Sequence, residues 1–206
     1  ALTSLSITGA ATLAAATVTT SGAQSYGALT LGAAGLFTSS GSGSVTFGGT
    51  VSGSAGLTVN TGGATIFNAG LSGITTLTTD AAGTNTLAAD LATSGAISLG
   101  GATTLSGASR SVSSSGSTVA FGSTINGPSP LSISSSPGTT LSGPTRCTPG
   151  GSRRLSAADG GPSTRPGDGG FLPDRVWSVV IDGAARPAGG RTSPVSSATS
   201  SRGSPR

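Results

Sequence analysis

Two carboxylates and one guanidinium, those of Asp80, Asp90 and Arg110, are the only charged side chains in the first 145 residues of this 206-residue chain. Paired carboxylates are the usual acid and base of glycoside hydrolysis. Asp80 and Asp90 stand ten residues apart in the turn-like contexts TTDAAG and AADLA, and no His or Glu is available to pair with them. We therefore predict that both aspartates are turn residues, that no residue here is catalytic and that the segment is not an enzyme.

Metal and cofactor sites lack their usual side chains. With no His and one cysteine, Cys147, the chain cannot build a Cys/His metal site. It has no Lys for a phosphate-binding loop and no repeated GGxGxD spacing for a calcium-binding solenoid. We expect no metal, no cofactor and no cofactor-binding residue.

Aromatic side chains could form a platform for carbohydrate. In the first 145 residues they are Tyr26, Phe37, Phe47, Phe67 and Phe121. Several stand in the alternating triplets VTF, TIF and VAF, on the same side of a strand as Val or Ile. This alternation favours stacking in a core over exposure to a ligand.

An internal repeat determines the predicted fold. VTFGGTVSG at 45–53 matches VAFGSTING at 119–127, and TLAA at 12–15 matches TLAA at 86–89, both at an offset of 74 residues. TSGA at 20–23 recurs at 93–96. The matches keep their order, which indicates a tandem duplication with small slippages, the second copy being incomplete.

Within each copy, short stretches alternate apolar and hydroxyl residues, as in Val45-Thr46-Phe47 and Gly56-Leu57-Thr58-Val59, and Gly-rich turns separate them. This pattern is typical of strands that bury one face. Strands so short bury that face only by stacking coil on coil. We predict an all-β, parallel β-solenoid over residues 1–143, with about six to eight coils of about 18 to 25 residues. Leu, Val, Ile and Phe would point inward, and Thr and Ser would form outward ladders.

Three alternatives to the solenoid explain the sequence less well. A β-sandwich has short strands but does not explain an in-order repeat. The Ala-rich stretch 10–16 has helical propensity, yet its counterpart at 86–92 lies within the strand pattern. Ser/Thr/Gly/Ala-rich sequence also resembles a disordered linker, against which the regular Leu, Val, Ile and Phe positions argue.

The stretches 17–33, 44–53, 56–68 (GLTVNTGGATIFN) and 74–80 (ITTLTTD) resemble repeats of large bacterial exoproteins, the filamentous haemagglutinin-like adhesins and autotransporter-type passengers. The resemblance covers residues 1 to about 143. It implies a right-handed parallel β-helix, export to the outer surface or the medium, and adhesion or biofilm roles. The expected partner is a host or bacterial surface ligand, a glycan or matrix protein. No signal peptide or membrane-spanning segment is recognised, so we expect no membrane insertion of this segment.

Residues 144–206 follow a different pattern. They hold nine of the ten Arg, four Asp and many Pro and Gly, and we predict a disordered tail or an out-of-frame translation of repeat-coding DNA.

One apolar stretch, 176–181, could form a strand but has no evident partner. Arg153-Arg154-Leu155-Ser156 resembles a kinase site, and the Arg/Gly bias resembles a nucleic-acid-binding tail. We expect neither function, because such tetrapeptides arise by chance here and the tail lacks interleaved aromatic residues.

Three functions remain open. The first is a structural or adhesive repeat of a surface exoprotein, acting as a rigid stalk with weak multivalent contacts. The second is a fragment of a glycan-active β-helix enzyme whose catalytic coils lie outside this segment. The third is a low-complexity chain without fixed structure.

Overall fold

The computed structural model describes residues 2–14, 17–136 and 138–143, and the backbone of two later strands, Arg153–Ala157 and Trp177–Ile181. Regular structure in the described part of residues 2–143 consists of β-strands. In chain order they are β1 (Leu5–Ile7), β2 (Ala11–Leu13), β3 (Thr17–Thr20), β4 (Gln24–Tyr26), β5 (Leu29–Leu31), β6 (Gly35–Ser39), β7 (Val45–Phe47), β8 (Val51–Gly53), β9 (Leu57–Thr61), β10 (Ala64–Phe67), β11 (Leu71–Ser72), β12 (Leu77–Thr79), β13 (Thr84–Leu87), β14 (Leu91–Thr93), β15 (Ile97–Leu99), β16 (Ala102–Leu105), β17 (Arg110–Ser114), β18 (Val119–Phe121), β19 (Ile125–Asn126), β20 (Leu131–Ser135) and β21 (Thr139–Leu141).

These strands wind into seven coils of three strands, and each strand pairs in parallel with the strand three places later on the same face, except that β11 does not pair with β14. Face 1 is the seven-stranded sheet from β1 to β19, and face 3 is the seven-stranded sheet from β3 to β21. Face 2 carries β2, β5, β8 and β11, followed by a separate sheet of β14, β17 and β20. The predicted parallel β-solenoid and its number of coils are confirmed.

The core runs through the middle of the coils. Strand residues alternate between buried and outward positions, as in the buried–intermediate–buried pattern of β7. The large apolar side chains of successive coils therefore stack on one another, and most are fully buried. Within the Ala-rich stretch, Ala11–Leu13 form strand β2, because the Ala11 and Leu13 side chains fit inward positions next to β5.

Polar side chains also lie inside, where the sequence predicted aliphatic and aromatic residues alone. Thr20, Ser39 and Thr61 stack in register at the end of face 3 and are at most 4% exposed. Their hydroxyls bond to backbone carbonyls of the adjacent turns. Thr20 Oγ1 donates to Gly22 O in the turn that follows it, at 2.6 Å, whereas Ser39 Oγ and Thr61 Oγ1 donate to Gly22 O and Gly43 O in the turn of the preceding coil, at 2.8 and 2.6 Å. The ladder holds the corners of successive coils together, since a buried peptide group without a partner is costly.

The 74-residue repeat does not span a whole number of coils. Val45 begins β7 on face 1, whereas its counterpart Val119 begins β18 on face 3. Thr12 and Leu13 of β2 on face 2 recur as Thr86 and Leu87 of β13 on face 1. Each strand therefore returns eleven strands later, after three coils and two further strands. The second copy is rotated by one face relative to the first.

Face 2 changes its strand type where the two copies meet. Its first-copy strands β2, β5, β8 and β11 have three, three, three and two residues. Its second-copy strands β14, β17 and β20 have three, five and five, and correspond to the longer strands of face 3. Gly73, directly after β11, has φ +74, a conformation that turns the chain out of the strand. Backbone pairing resumes beyond it, where Ser94 N donates to Ile74 O at 3.2 Å.

Two strands follow the solenoid along the chain. Trp177–Ile181 pairs antiparallel with Arg153–Ala157, with Trp177 opposite Ala157. The expectation that the 176–181 stretch has no partner is therefore wrong, because the partner is the segment that the sequence marked only as a kinase-like motif. The other residues after 143, Cys147 among them, lie outside the described residues, so the disordered or out-of-frame tail stays a prediction.

Candidate functional site

The two aspartates of the solenoid lie at different corners of the rod. Asp80 follows β12, where the chain leaves face 3, and its backbone N donates to Val59 O at 3.1 Å. Asp90 precedes β14, where the chain passes from face 1 to face 2. Both lie in connections between strands, as predicted for turn residues. The structure does not bring the two carboxylates together at one corner.

Arg110 holds a turn in place. Its side chain is 13% exposed, its Nε donates to Ser106 O at 2.8 Å, and its Nη1 lies 3.8 Å from Asp90 Oδ1. Asp90 Oδ1 also accepts a hydrogen bond from Ser111 N at 2.9 Å. Because the Asp90 side chain is 63% exposed, solvent screens the ion pair and it contributes little stability.

A small hollow beside Arg110 is lined by Pro130 among other residues and has a volume of about 160 Å³. It is too small to enclose a drug-sized ligand.

The aromatic residues form the core, as the alternation predicted. Phe47 stacks between Tyr26 and Phe67, with ring centroids 5.7 and 5.3 Å away, and Phe37 meets it edge-on at 5.5 Å. These rings and Phe121 are at most 2% exposed. The carbohydrate-platform reading of these five residues is therefore excluded by their burial.

A buried polar network, which the sequence did not reveal, joins the first two coils. The Tyr26 hydroxyl donates to Gln24 Oε1 at 2.8 Å, and Gln24 Nε2 donates to Thr38 O at 2.8 Å and Thr20 Oγ1 at 3.1 Å. Burial raises the pKa of Tyr26 above its ordinary value. The network can fix the register of the coils, but its buried groups face no ligand. Its one signal in the sequence is the spacing of Gln24 and Tyr26, which places both on the inner side of β4.

An open groove lies on face 2, where the first sheet ends at β11 and the second begins at β14. This groove has a volume of about 510 Å³. Seven of its eleven lining residues carry hydroxyls and none is charged; the eleven are Leu71, Ser72, Gly73, Ile74, Ala92, Thr93, Ser94, Ser113, Ser114, Ser115 and Ser134. The groove was not predicted from the sequence, in which the available signal is the change of strand type between the two copies.

Outward side chains form one column along the middle of each face. On face 2 the column is Thr12, Thr30, Ser52 and Ser72 on the first sheet, then Ala92, Ser113 and Ser134 on the second. Thr30 Oγ1 and Ser52 Oγ are 3.1 Å apart, within hydrogen-bond distance. Leu36 interrupts the column on face 3, and Ile66 interrupts the column on face 1. Face 2 thus presents the most hydroxylated column, with no side chain larger than Thr.

Among the described residues, no cluster of three or more His, Cys, Asp or Glu side chains could hold a metal ion. Those residues also contain no helix long and apolar enough to cross a membrane.

Comparison with family models, curated protein sequences and solved structures gives no match to this chain. The fold, a β-solenoid built from a duplicated unit, is consistent with a repetitive, stalk-like structural role.

Proposed function

We propose that residues 1–143 are a rigid spacer segment of a bacterial surface or secreted exoprotein, and that they contact their partner weakly through many repeated groups. The continuous core through seven coils carries this proposal. Each coil packs against its neighbours, and at about 4.8 Å per coil the rod is about 34 Å long. Such a segment holds whatever lies beyond it at a fixed distance.

The character of the surface supports weak, repeated contact. Strong protein interfaces concentrate their energy in a few Trp, Tyr or Arg residues. In the solenoid the one Tyr is in the core, and Arg110 is largely occupied by its own turn. What remains outside is a set of hydroxyl columns, each contributing little by itself and gaining strength by repetition.

Catalysis is not part of this proposal. Asp80 and Asp90 lie at different corners, and the chain contains no His or Glu to serve beside either. The glycan-active alternative needs catalytic coils outside this segment. The third alternative, a chain without fixed structure, does not fit the solenoid, because its coils are paired and enclose a continuous core.

The test compares one copy with many. The chain is measured as a monomer against surface glycans and matrix proteins, then displayed in many copies on beads against the same targets. We expect binding by the beads and only millimolar-range or weaker binding by the monomer, on the order of −4 kcal/mol or less favourable. Sub-micromolar binding by the monomer, lost on changing one or two residues, would replace the stalk with a specific receptor site.

A further inference from the structure

We infer that face 2 is the contact face and that its partner is an uncharged polyhydroxylated chain, such as a neutral polysaccharide, seated in the groove between β11 and β14. This inference rests on the proposed function, to which it adds the partner's chemistry and the face that meets it. Two features of face 2 carry it: the groove at the break between its sheets, and the hydroxyl column, of which Ser72, Ser113 and Ser134 line the groove.

The groove has the size and openness that a chain-like ligand requires. Its volume of about 510 Å³ is in the range of small-molecule sites. Exposed residues line it on both sides of the break, with Ser72 and Gly73 on one side and Ala92 and Ser94 on the other. The groove lies on the outer surface, so a polymer can enter it without a free end.

The backbone adds hydrogen-bonding groups at the break. β11 pairs with β8 and β14 pairs with β17, so the sides of β11 and β14 that face each other are the edges of two sheets. Sheet edges present N–H and C=O groups that can bond to another molecule. Sugar hydroxyls both donate and accept, as Ser hydroxyls do. A polyhydroxylated ligand can therefore bond to the hydroxyl side chains that line the groove.

The hydroxyl column extends the contact along the rod. Ser113 and Ser134 continue it on the second sheet, and Ser111 and Ser132 form a parallel row beside them. Successive hydroxyls are one coil apart, about 4.8 Å. A polysaccharide also carries hydroxyls at regular intervals, so it can meet several coils at once.

The residues that line the groove lack the charged and aromatic side chains that other classes of partner require. No lining residue of the groove is charged, so an anionic glycan finds no cation to pair with its acidic groups. Protein interfaces draw on aromatic residues and Arg, and the groove has neither. A neutral glycan is the partner that needs only what the groove supplies.

The experiment displays the full chain in many copies on beads and measures retention on uncharged glucan, mannan and galactan, on polygalacturonate and on a matrix protein. The test variant is Ser72→Ala with Ser134→Ala, which removes two exposed hydroxyls of face 2. The control is Ser6→Ala with Ser25→Ala, which removes two exposed hydroxyls from face 1. Far-UV circular dichroism verifies that both variants keep the fold.

We expect at least one uncharged glycan to bind. Each lost hydroxyl should weaken that binding about fivefold, while the face 1 control stays within twofold of the parent. As a second measurement on the monomer, the glycan should shift the amide resonances of Gly73, Ser94 and Ser115, and Ala92→Trp should abolish those shifts by filling the groove.

The outcomes separate this inference from the proposed function. Binding only to polygalacturonate or the matrix protein, or glycan binding equally sensitive to the face 1 control, overturns the inference and leaves multivalent contact standing. No retention on any of the five surfaces overturns both.

Discussion

Replacing Phe47 with Ala tests whether the stacked rings hold the second, third and fourth coils together. The ring is fully buried and contacts three others: Tyr26 and Phe67 in parallel stacks, and Phe37 edge-on. Tyr26, Phe47 and Phe67 occupy equivalent positions of β4, β7 and β10. The substitution therefore opens a cavity in the middle of a three-coil stack, where both neighbours lose a partner.

The magnitude follows from two contributions. Removing a buried Phe side chain costs about 3–5 kcal/mol, including the cavity that it leaves. Each favourable ring pair adds about 0.5–1.5 kcal/mol beyond its buried area. With three ring pairs lost, the two contributions together are about 4.5–9.5 kcal/mol, so we expect Phe47→Ala to reduce the free energy of unfolding by about 5 kcal/mol or more.

Phe121 provides the matched control. It is 1% exposed in β18, and no ring pair among the described residues includes it. Phe121→Ala should therefore cost about 3–4 kcal/mol, from burial and cavity alone. Phe47→Leu and Phe121→Leu sharpen the comparison, because Leu keeps most of the apolar volume and loses only the ring.

The assay is urea unfolding followed by far-UV circular dichroism, together with amide hydrogen exchange resolved by coil. Exchange is needed because a solenoid can open in part, and a single unfolding free energy then averages over its coils. Equal costs for Phe47→Leu and Phe121→Leu would refute the contribution of stacking. Unchanged stability in both Ala variants would refute the buried core itself.

Three further outcomes are expected. Gly53→Ala should destabilise the fold by about 1–3 kcal/mol in urea unfolding, because φ is +131 and a Cβ would contact Leu31 O, whereas Gly9→Ala, with nothing within 4 Å of its Cβ, should be tolerated. Burial raises the pKa of Tyr26 above its ordinary 10.0, so its contribution to stability is full below pH 10 and is lost as the pH rises further; Tyr26→Phe should remove that alkaline loss from a profile of Tm against pH. Sequencing the coding DNA beyond residue 143 should reveal an ITTLTTD-like stretch in a shifted frame, and if neither alternative frame resembles the repeat, the tail is genuine.

Much of the solenoid could be predicted because apolar inward residues alternate with polar outward residues along its strands. Alternation in Val45-Thr46-Phe47 identifies a strand and also its inner side, and five aromatic residues follow that rule into the core. The carboxylates were equally readable, since TTDAAG and AADLA are turn sequences and the structure places both aspartates in connections.

Polar residues on the inner side could not be predicted in the same way. Gln24 follows the alternation of β4, but burial of a Gln is favourable only when all its hydrogen bonds are made. Its partners Thr20 and Thr38 stand on other strands, and which residues meet depends on the number of residues per coil. The sequence leaves that number within a range of about 18 to 25, whereas partners on the three faces are 18 to 22 residues apart.

The groove could not be predicted for the same reason, because its position depends on the number of residues per coil. The eleven-strand repeat unit explains why the groove lies on face 2 and why the other faces accept a copy rotated by one face. Each face needs only an alternating strand with a turn at its end, so a copy rotated by one face still finds an apolar side for the core. The hydroxyl residues at the corner are preserved in the rotated copy, since Thr20, Ser39 and Thr61 recur on another face as Thr93, Ser114 and Ser135. Their hydrogen bonds recur as well. Thr93 Oγ1 and Ser114 Oγ both donate to Gly95 O, as Thr20 Oγ1 and Ser39 Oγ both donate to Gly22 O. Strand length is the property that the rotation does not preserve. On face 2 the strand pairing is interrupted between β11 of the first copy and β14 of the second, so the groove lies at the junction of the duplicated units.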